Sequence, residues 1–313
     1  MGVACTRVPA MILSVAALLV AASPAFAASQ SDWDRCKDFD NAENAAENIG
    51  ACTRILSDPQ ETTKDRARAF RDRCVQLSHT DPDGAVADCT EGIRLDPENA
   101  TGYNDRGNVY LAKGDPDRAL ADINAAIRLD PKNAEFHDNL ALAYVAKGDY
   151  ERAMAEYDEA IKLDPKDLPS YDDRGRTRFY MADYGAAASE FAPVVQEKPA
   201  DAYSVLWLYL ARARSGDQAA AAELETNAKQ LKQPDWPYPV IPLFLGQRTA
   251  EATLAAPSKT GDRCEAQFYS GEWDLMRGDR AAATEKLKAA AESCPKTYSE
   301  YGAALAELKR LPQ

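Results

Sequence analysis

Histidine is almost missing from this chain: His79 and His137 are the only two in 313 residues. That excludes most histidine-based acid/base catalysis and most imidazole metal sites. Basic residues are also scarce, with 37 Lys+Arg against 50 Asp+Glu and a formal net charge of −13. A nucleic-acid-binding surface, which needs clustered cations to meet phosphates, is therefore not expected. No Gly-x-Ser-x-Gly, His-Glu-x-x-His or Gly-x-x-x-x-Gly-Lys-[Ser/Thr] pattern occurs, so nucleophile elbows, zinc-protease helices and phosphate loops find no support. Cys-x-x-Cys is absent too, which removes the commonest redox and zinc spacing. No cofactor and no metal are expected.

Long apolar runs are limited to one. Arg7 precedes an apolar stretch from Ala10 to Ala22, followed by Ser23-Pro24-Ala25-Phe26-Ala27. This is the pattern of a cleavable secretory signal peptide, with cleavage expected after Ala27. The run is too short to span a bilayer comfortably. Cys5 lies before it, so there is no lipobox, and membrane insertion of the mature chain is not expected. Removing residues 1–27 takes away Arg7 and Cys5 and leaves a charge of 36 − 50 = −14. The expected location is the periplasm or the extracellular medium.

What the chain has in plenty is apolar residues, 45% of the total, and an internal repeat. An offset of 34 aligns Pro97, Pro131, Pro165 and Pro199, then Ala85, Ala119, Ala153 and Ala187, then Gly114-Asp115, Gly148-Asp149, Ala182-Asp183 and Gly216-Asp217. Small residues such as Gly107, Ala119 and Ala126 allow two antiparallel helices to approach closely, and Tyr103, Tyr110, Tyr144, Tyr157 and Ile123 fall at packing positions. The Gly-Asp pair ends one helix and caps the next, and the proline closes the unit. With this period and punctuation, the sequence resembles the tetratricopeptide repeat. The resemblance implies an all-α fold, an α-solenoid of helix-turn-helix units whose exposed end faces must be covered.

Units are expected to begin near Arg66, Ala100, Ala134 and Leu168, filling residues 66–199. A degenerate unit over 200–232 follows, in which Glu225 replaces an apolar residue. Residues 233–262 carry Pro234, Pro237, Pro239 and Pro242, for which an extended or turning path is expected. A last unit and a capping helix occupy 263–313, the helix with an apolar stripe of Tyr301, Leu305, Leu308 and Leu311. Residues 28–65 are expected to form an N-terminal hairpin. The segment from Trp236 to Gly246, with the Phe268-Tyr269-Ser270-Gly271 unit after it, is similar to the C-terminal part of NlpI-type periplasmic repeat proteins. That resemblance implies dimerisation and adaptor activity between envelope enzymes. Trp236, Ile241 and Phe244 either cap the degenerate unit or form an apolar patch for a partner or second copy.

Six cysteines remain in the mature chain, an even number in a chain bound for an oxidising compartment. Within the helical hairpins, local pairing is expected: Cys36 with Cys52, Cys74 with Cys89, and Cys264 with Cys294.

First helices line the concave face of a tetratricopeptide array. Its facing positions here are Asn104, Asp105 and Asn108, then Glu135, Asp138 and Asn139, then Asp172, Asp173, Arg176, Phe179 and Tyr180. Asn108 and Asn139 match the asparagines of the family's carboxylate clamp, but Asn104, Pro169 and Asp173 stand where that clamp has cations. A carboxylate terminus is therefore not the expected ligand. Two readings stay open: a groove in which Asn108 and Asn139 hold the backbone of an extended or helical partner segment while Asp138, Asp172 and Asp173 attract its basic side chains, or ordinary solvated acids. The function expected is a non-enzymatic scaffold or adaptor, in the periplasm or secreted toward a host surface. A two-carboxylate glycosidase is allowed by residue type, yet repeat positions already account for nearly the whole chain.

Overall fold

The computed structural model describes residues 28–39, 44–231 and 236–311; the proposed signal segment 1–27, with part of the proline-rich segment, lies outside them. Among the described residues the chain is an array of seventeen helices without strands. An N-terminal hairpin of α1 (Gln30–Cys36) and α2 (Ala45–Ser57) leads into four regular pairs. These are α3 (Thr63–Leu77) with α4 (Pro82–Leu95), α5 (Ala100–Ala112) with α6 (Pro116–Leu129), α7 (Ala134–Ala146) with α8 (Tyr150–Leu163), and α9 (Leu168–Tyr180) with α10 (Tyr184–Glu197). Then come α11 (Ala202–Ser215) and the short α12 (Ala220–Ala228), α13 (Val240–Phe244) and α14 (Ala250–Leu254), the pair α15 (Thr260–Met276) and α16 (Arg280–Ser293), and α17 (Ser299–Arg310).

The local causes are repeated with the sequence. Asp115, Asp149 and Asp279 each accept an amide three residues on (3.1, 3.2 and 3.0 Å), which satisfies a donor that the helix start leaves unpaired. The preceding glycines adopt left-handed backbone, with φ of 73° at Gly114, 74° at Gly148 and 83° at Gly278. The fourth pair has alanine there, and Ala182 is held at φ 64°. A Cβ in that conformation is strained. Ala182→Gly is therefore expected to stabilise the protein by about 0.5–1 kcal/mol, measured by urea unfolding; a loss of stability would contradict this account of the turn. Elsewhere glycine serves close approach: a Cβ on Gly107 would lie 2.6 Å from Ile123 Cγ1, and one on Gly175 2.8 Å from the Phe191 ring.

Two corrections to the sequence reading concern the C-terminal third. Prolines do not keep the Trp236–Gly246 segment free of helix: α13 is one turn in which Pro242 stands at the third position, where no intrahelical amide bond is lost. Ile241 and Phe244 are buried there, and Trp236 is half-buried with its Nε1 donating to Glu265 Oε2 at 2.7 Å. Nor does α17 bury all of the stripe expected of it: Tyr301, Leu308 and Leu311 pack half-buried against the core, Leu305 is 41% exposed, and Glu300, Ala303, Ala304, Ala306 and Glu307 are buried. The small face goes inward because α17 packs closely on its neighbours, and its two glutamates find partners inside.

One continuous core joins α9 to α17 around Trp207, which packs with Phe179 at 5.3 Å, Phe191 at 6.2 Å and Phe268 at 5.6 Å between ring centres. Toward the N-terminus the cores are smaller and separate. Disulfides join Cys36–Cys52, Cys74–Cys89 and Cys264–Cys294. Each ties a helix to its own hairpin partner, two at the thinly cored N-terminal end and one in the last pair.

Candidate functional site

The inner helices α3, α5, α7 and α9 bring most of the concave positions together, with the charges paired unequally. On α5, Asn104 is fully buried: its amide donates to Glu135 Oε1 (3.3 Å), and its carbonyl oxygen accepts from Asn139 Nδ2 (3.0 Å). Asn108 is half-buried, and its side chain has no hydrogen bond among the described residues. Asp105 faces Arg71 of α3 at 3.8 Å. Burial nonetheless pushes its carboxyl up to about 7, against Arg71 and with help from Glu135 and Asp72.

On α7, Asp138 is only 8% exposed, and its Oδ1 has no hydrogen-bond partner among the described residues. Burial first, then the facing Asp173, raise it to about 7. On α9, Asp172 pairs with Arg176 yet its own Oδ1 has no partner among the described residues, and burial holds its carboxyl above the usual range. Asp173 lies 3.5 Å from Arg176 and is raised to about 6, mainly by burial, with Arg176 opposing and Asp172 reinforcing. Arg176 sits over the Trp207 ring at 5.9 Å. The Tyr157 hydroxyl, fully buried beneath this cluster, has no hydrogen-bond partner among the described residues. The result is a row of carboxylates on neighbouring inner helices, with Arg71 near one end and Arg176 near the other.

The remaining expected site residues do not line an open surface. Phe179 is fully buried against Trp207 and Tyr184. Tyr180 lies under α17: its hydroxyl donates to the Ser299 carbonyl at 3.0 Å, its own carbonyl accepts from Arg310 Nη1 at 2.7 Å, and Gly302 rests on its ring. Arg214 continues this closure by joining Glu272 of α15 to Glu307 of α17. The aromatic end of the expected groove is thus filled by the chain's own last helix. Sequence reasoning missed this because the contact spans 119 residues between Tyr180 and Ser299 and has no local signal.

It also missed a ladder between the two helices of each pair. Arg73 forks onto Asp88 (2.6 and 2.8 Å), Arg106 onto Asp122 (2.7 and 2.8 Å), and Arg174 reaches Glu190 (2.8 Å). In the pair between the last two, where Leu140 stands at the arginine position, His137 reaches Glu156 from one turn earlier at 2.8 Å. The acceptors recur at the repeat period, Asp88, Asp122, Glu156 and Glu190, so the signal was present in the alignment that revealed the prolines. Arginines also cover tyrosines placed in the core by sequence: Tyr103, Tyr110 and Tyr144 are half-buried under Arg106 (6.0 Å), Arg118 (4.5 Å) and Arg152 (4.6 Å), while Tyr157 is fully buried.

These carboxylates make stability depend on pH. Asp105, Asp138, Glu265 and Glu272 hold protons to about 7, 7, 7 and 8 in the fold, while their ordinary values are 3.8 for Asp and 4.5 for Glu. Between those limits the folded state binds more protons than the unfolded chain, so these groups stabilise the fold at the acid side and that contribution is lost as pH rises through 7 to 8. The melting temperature is expected to be higher near pH 5.5 than near pH 8, by calorimetry with the disulfides intact. A higher value at pH 8 would contradict the burial of these acids.

The tetratricopeptide-repeat pattern matches residues 75–133 and again 104–167. Among solved structures, a tetratricopeptide repeat protein from Parabacteroides merdae is similar over 90% of this chain and 98% of its own, at 15% identity and a TM-score of 0.53. PilW, described as a widely conserved type IV pilus biogenesis factor, is similar over 77% of this chain and 98% of its own, at 15% identity and a TM-score of 0.51. PilF of Pseudomonas aeruginosa matches 79% of this chain and all of its own, at 14% identity and a TM-score of 0.50. These likenesses concern the fold. Residues 75–167 thus carry the tetratricopeptide-repeat pattern, and the stacked helical pairs give the chain a fold similar to that of tetratricopeptide-repeat proteins.

Proposed function

We propose that this protein is a non-enzymatic scaffold of the bacterial cell envelope that captures lysine- or arginine-bearing protein segments on the inner face of α5, α7 and α9. The observation that carries this reading is Asp138, nine-tenths buried with its Oδ1 unpartnered among the described residues. A buried unpaired acceptor is unfavourable, and a cation from a partner would relieve both its desolvation and its repulsion from Asp173. Asp172, with its own unpartnered oxygen, extends the same surface. The binding positions are accordingly Asn108, Asp105, Asp138, Asp172 and Asp173, with Arg176 orienting the last two; Asn104 and Asn139 shape the wall, and Tyr180 belongs to the closure beneath α17.

Three disulfides support an oxidising compartment, and no helix among the described residues is long and apolar enough to cross a membrane. With the leader-like first 27 residues, this favours the periplasm, with release to the medium as the alternative. The test is isothermal titration of a lysine-bearing peptide and its Lys→Gln counterpart with the disulfide-bonded protein. Heat from the lysine peptide alone supports the reading, and equal or absent binding of both overturns it.

A further inference from the structure

We infer that the groove takes its partner as an α-helix carrying basic residues on a face of small residues, rather than as an extended strand of peptide. This rests on the groove reading above and goes beyond it in naming the conformation of the partner. An extended segment exposes its own N–H and C=O groups, and the wall must supply partners once water is excluded. Here the wall's amides are turned toward the wall itself: Asn139 donates to Asn104, and Asn104, fully buried, donates to Glu135. Only the Asn108 side chain is left without a hydrogen bond among these asparagines. A helix satisfies its backbone internally and asks nothing of the wall but side-chain contacts.

The inner face already holds one helix on these terms. α17 lies across α9 with Gly302 so close to the Tyr180 ring that a Cβ there would meet Cζ at 3.2 Å, and with Ala303, Ala304 and Ala306 buried. Small residues allow that approach, while polar groups at its edges, Glu307 with Arg214 and Arg310 with the Tyr180 carbonyl, fix its position. Between α5 and α9 the same face is uncovered, and the charges reverse in sense. The groups facing it are Arg71 and Asp72 of α3, Asp105 of α5, Glu135 and Asp138 of α7, and Asp172, Asp173 and Arg176 of α9. Acceptors on Asp138 and Asp172, unpartnered among the described residues, sit on adjacent units, so cations one or two helical turns apart on a partner helix reach them together.

The experiment compares three probes on the full disulfide-bonded chain by fluorescence anisotropy. The first is a hydrocarbon-stapled peptide of about fifteen residues, rich in Ala and Gln, with two lysines one turn apart. The second has the same lysines and two prolines that forbid a helix, and the third is the stapled peptide with both lysines changed to Gln. The expected result is binding of the first at least about tenfold tighter than either other probe, lost in Asp138→Asn/Asp172→Asn/Asp173→Asn protein whose circular dichroism is unchanged. Equal or tighter binding of the proline probe overturns the helical partner while leaving the basic groove standing. Binding of the Gln probe as well as the first overturns the role of charge, and binding of none overturns the groove itself and this inference with it.

Discussion

Replacing Arg214 by methionine is expected to destabilise the protein by about 3–5 kcal/mol, the range for breaking a buried ion pair from one side. Its guanidinium donates to Glu272 Oε2 at 2.5 Å, to the Tyr184 hydroxyl at 2.5 Å and to Glu307 Oε2 at 3.1 Å, and it lies over the Tyr184 ring at 4.6 Å. Glu272 is fully buried and Glu307 is 2% exposed, so without Arg214 two carboxylates would face each other in the core. Burial and then Glu307 already push Glu272 up to about 8; Arg214 and Arg310 hold Glu307 below its usual range although burial opposes them. The defect is therefore expected to shrink on acidification, as both acids take up protons. Adding Glu272→Gln and Glu307→Gln should restore most of the loss, since neutral amides leave no unpaired charge. Urea unfolding of the single and triple variants checks both claims, and a loss below about 1 kcal/mol in the single variant would show that this arginine does not hold α17 to the array.

The second large effect concerns the groove, where stability and binding are expected to move in opposite directions. Asp138→Asn removes repulsion from Asp173 and leaves both partners of Arg176 in place, so this variant should melt at or above the wild type near pH 8. It should also lose lysine-peptide affinity by about tenfold to a hundredfold, as charge-assisted hydrogen bonds are lost. The wild-type interaction has its own pH signature. Asp138 and Asp173 titrate at about 7 and about 6 in the free protein, and a bound cation favours their charged forms. Binding should thus strengthen as pH rises from about 5.5 to 8, with proton release, and weaken with salt. Surface acids without a functional partner would produce neither the gain in stability nor the proton release.

Repetition made the regular part of this fold legible. Each feature that the sequence repeats, the closing proline, the Gly-Asp turn and the small residue at Ala119 or Ala153, was recognisable because four copies vote on it. The C-terminal third has no second copy to average over. There the stripe of Tyr301, Leu305, Leu308 and Leu311 pointed to an ordinary amphipathic cap, yet the helix buries Ala303, Ala304 and two glutamates because Arg214, Arg310 and Tyr269 await them. Buried Glu300 and Glu307 are intelligible only with partners up to 123 residues away in sequence. The groove was half legible for a similar reason. Helical spacing placed Asp138, Asp172 and Asp173 on inner helices, while the bond between Asn139 and Asn104, which turns the two side chains toward each other, depends on the distance between units. Position in a repeat tells which way a side chain points, and packing decides whether it is free.

The measurement that bears most directly on the central claim is site-specific photo-crosslinking of a lysine-bearing helical peptide to the full chain. The crosslinking residue would be placed at Asn108, on the uncovered inner face, or at the exposed Lys162 on α8. Adducts at position 108 that disappear with added salt, and none at 162, are what an acidic inner groove predicts. Adducts at 162, or adducts at 108 that persist in the triple Asp→Asn variant, would contradict it.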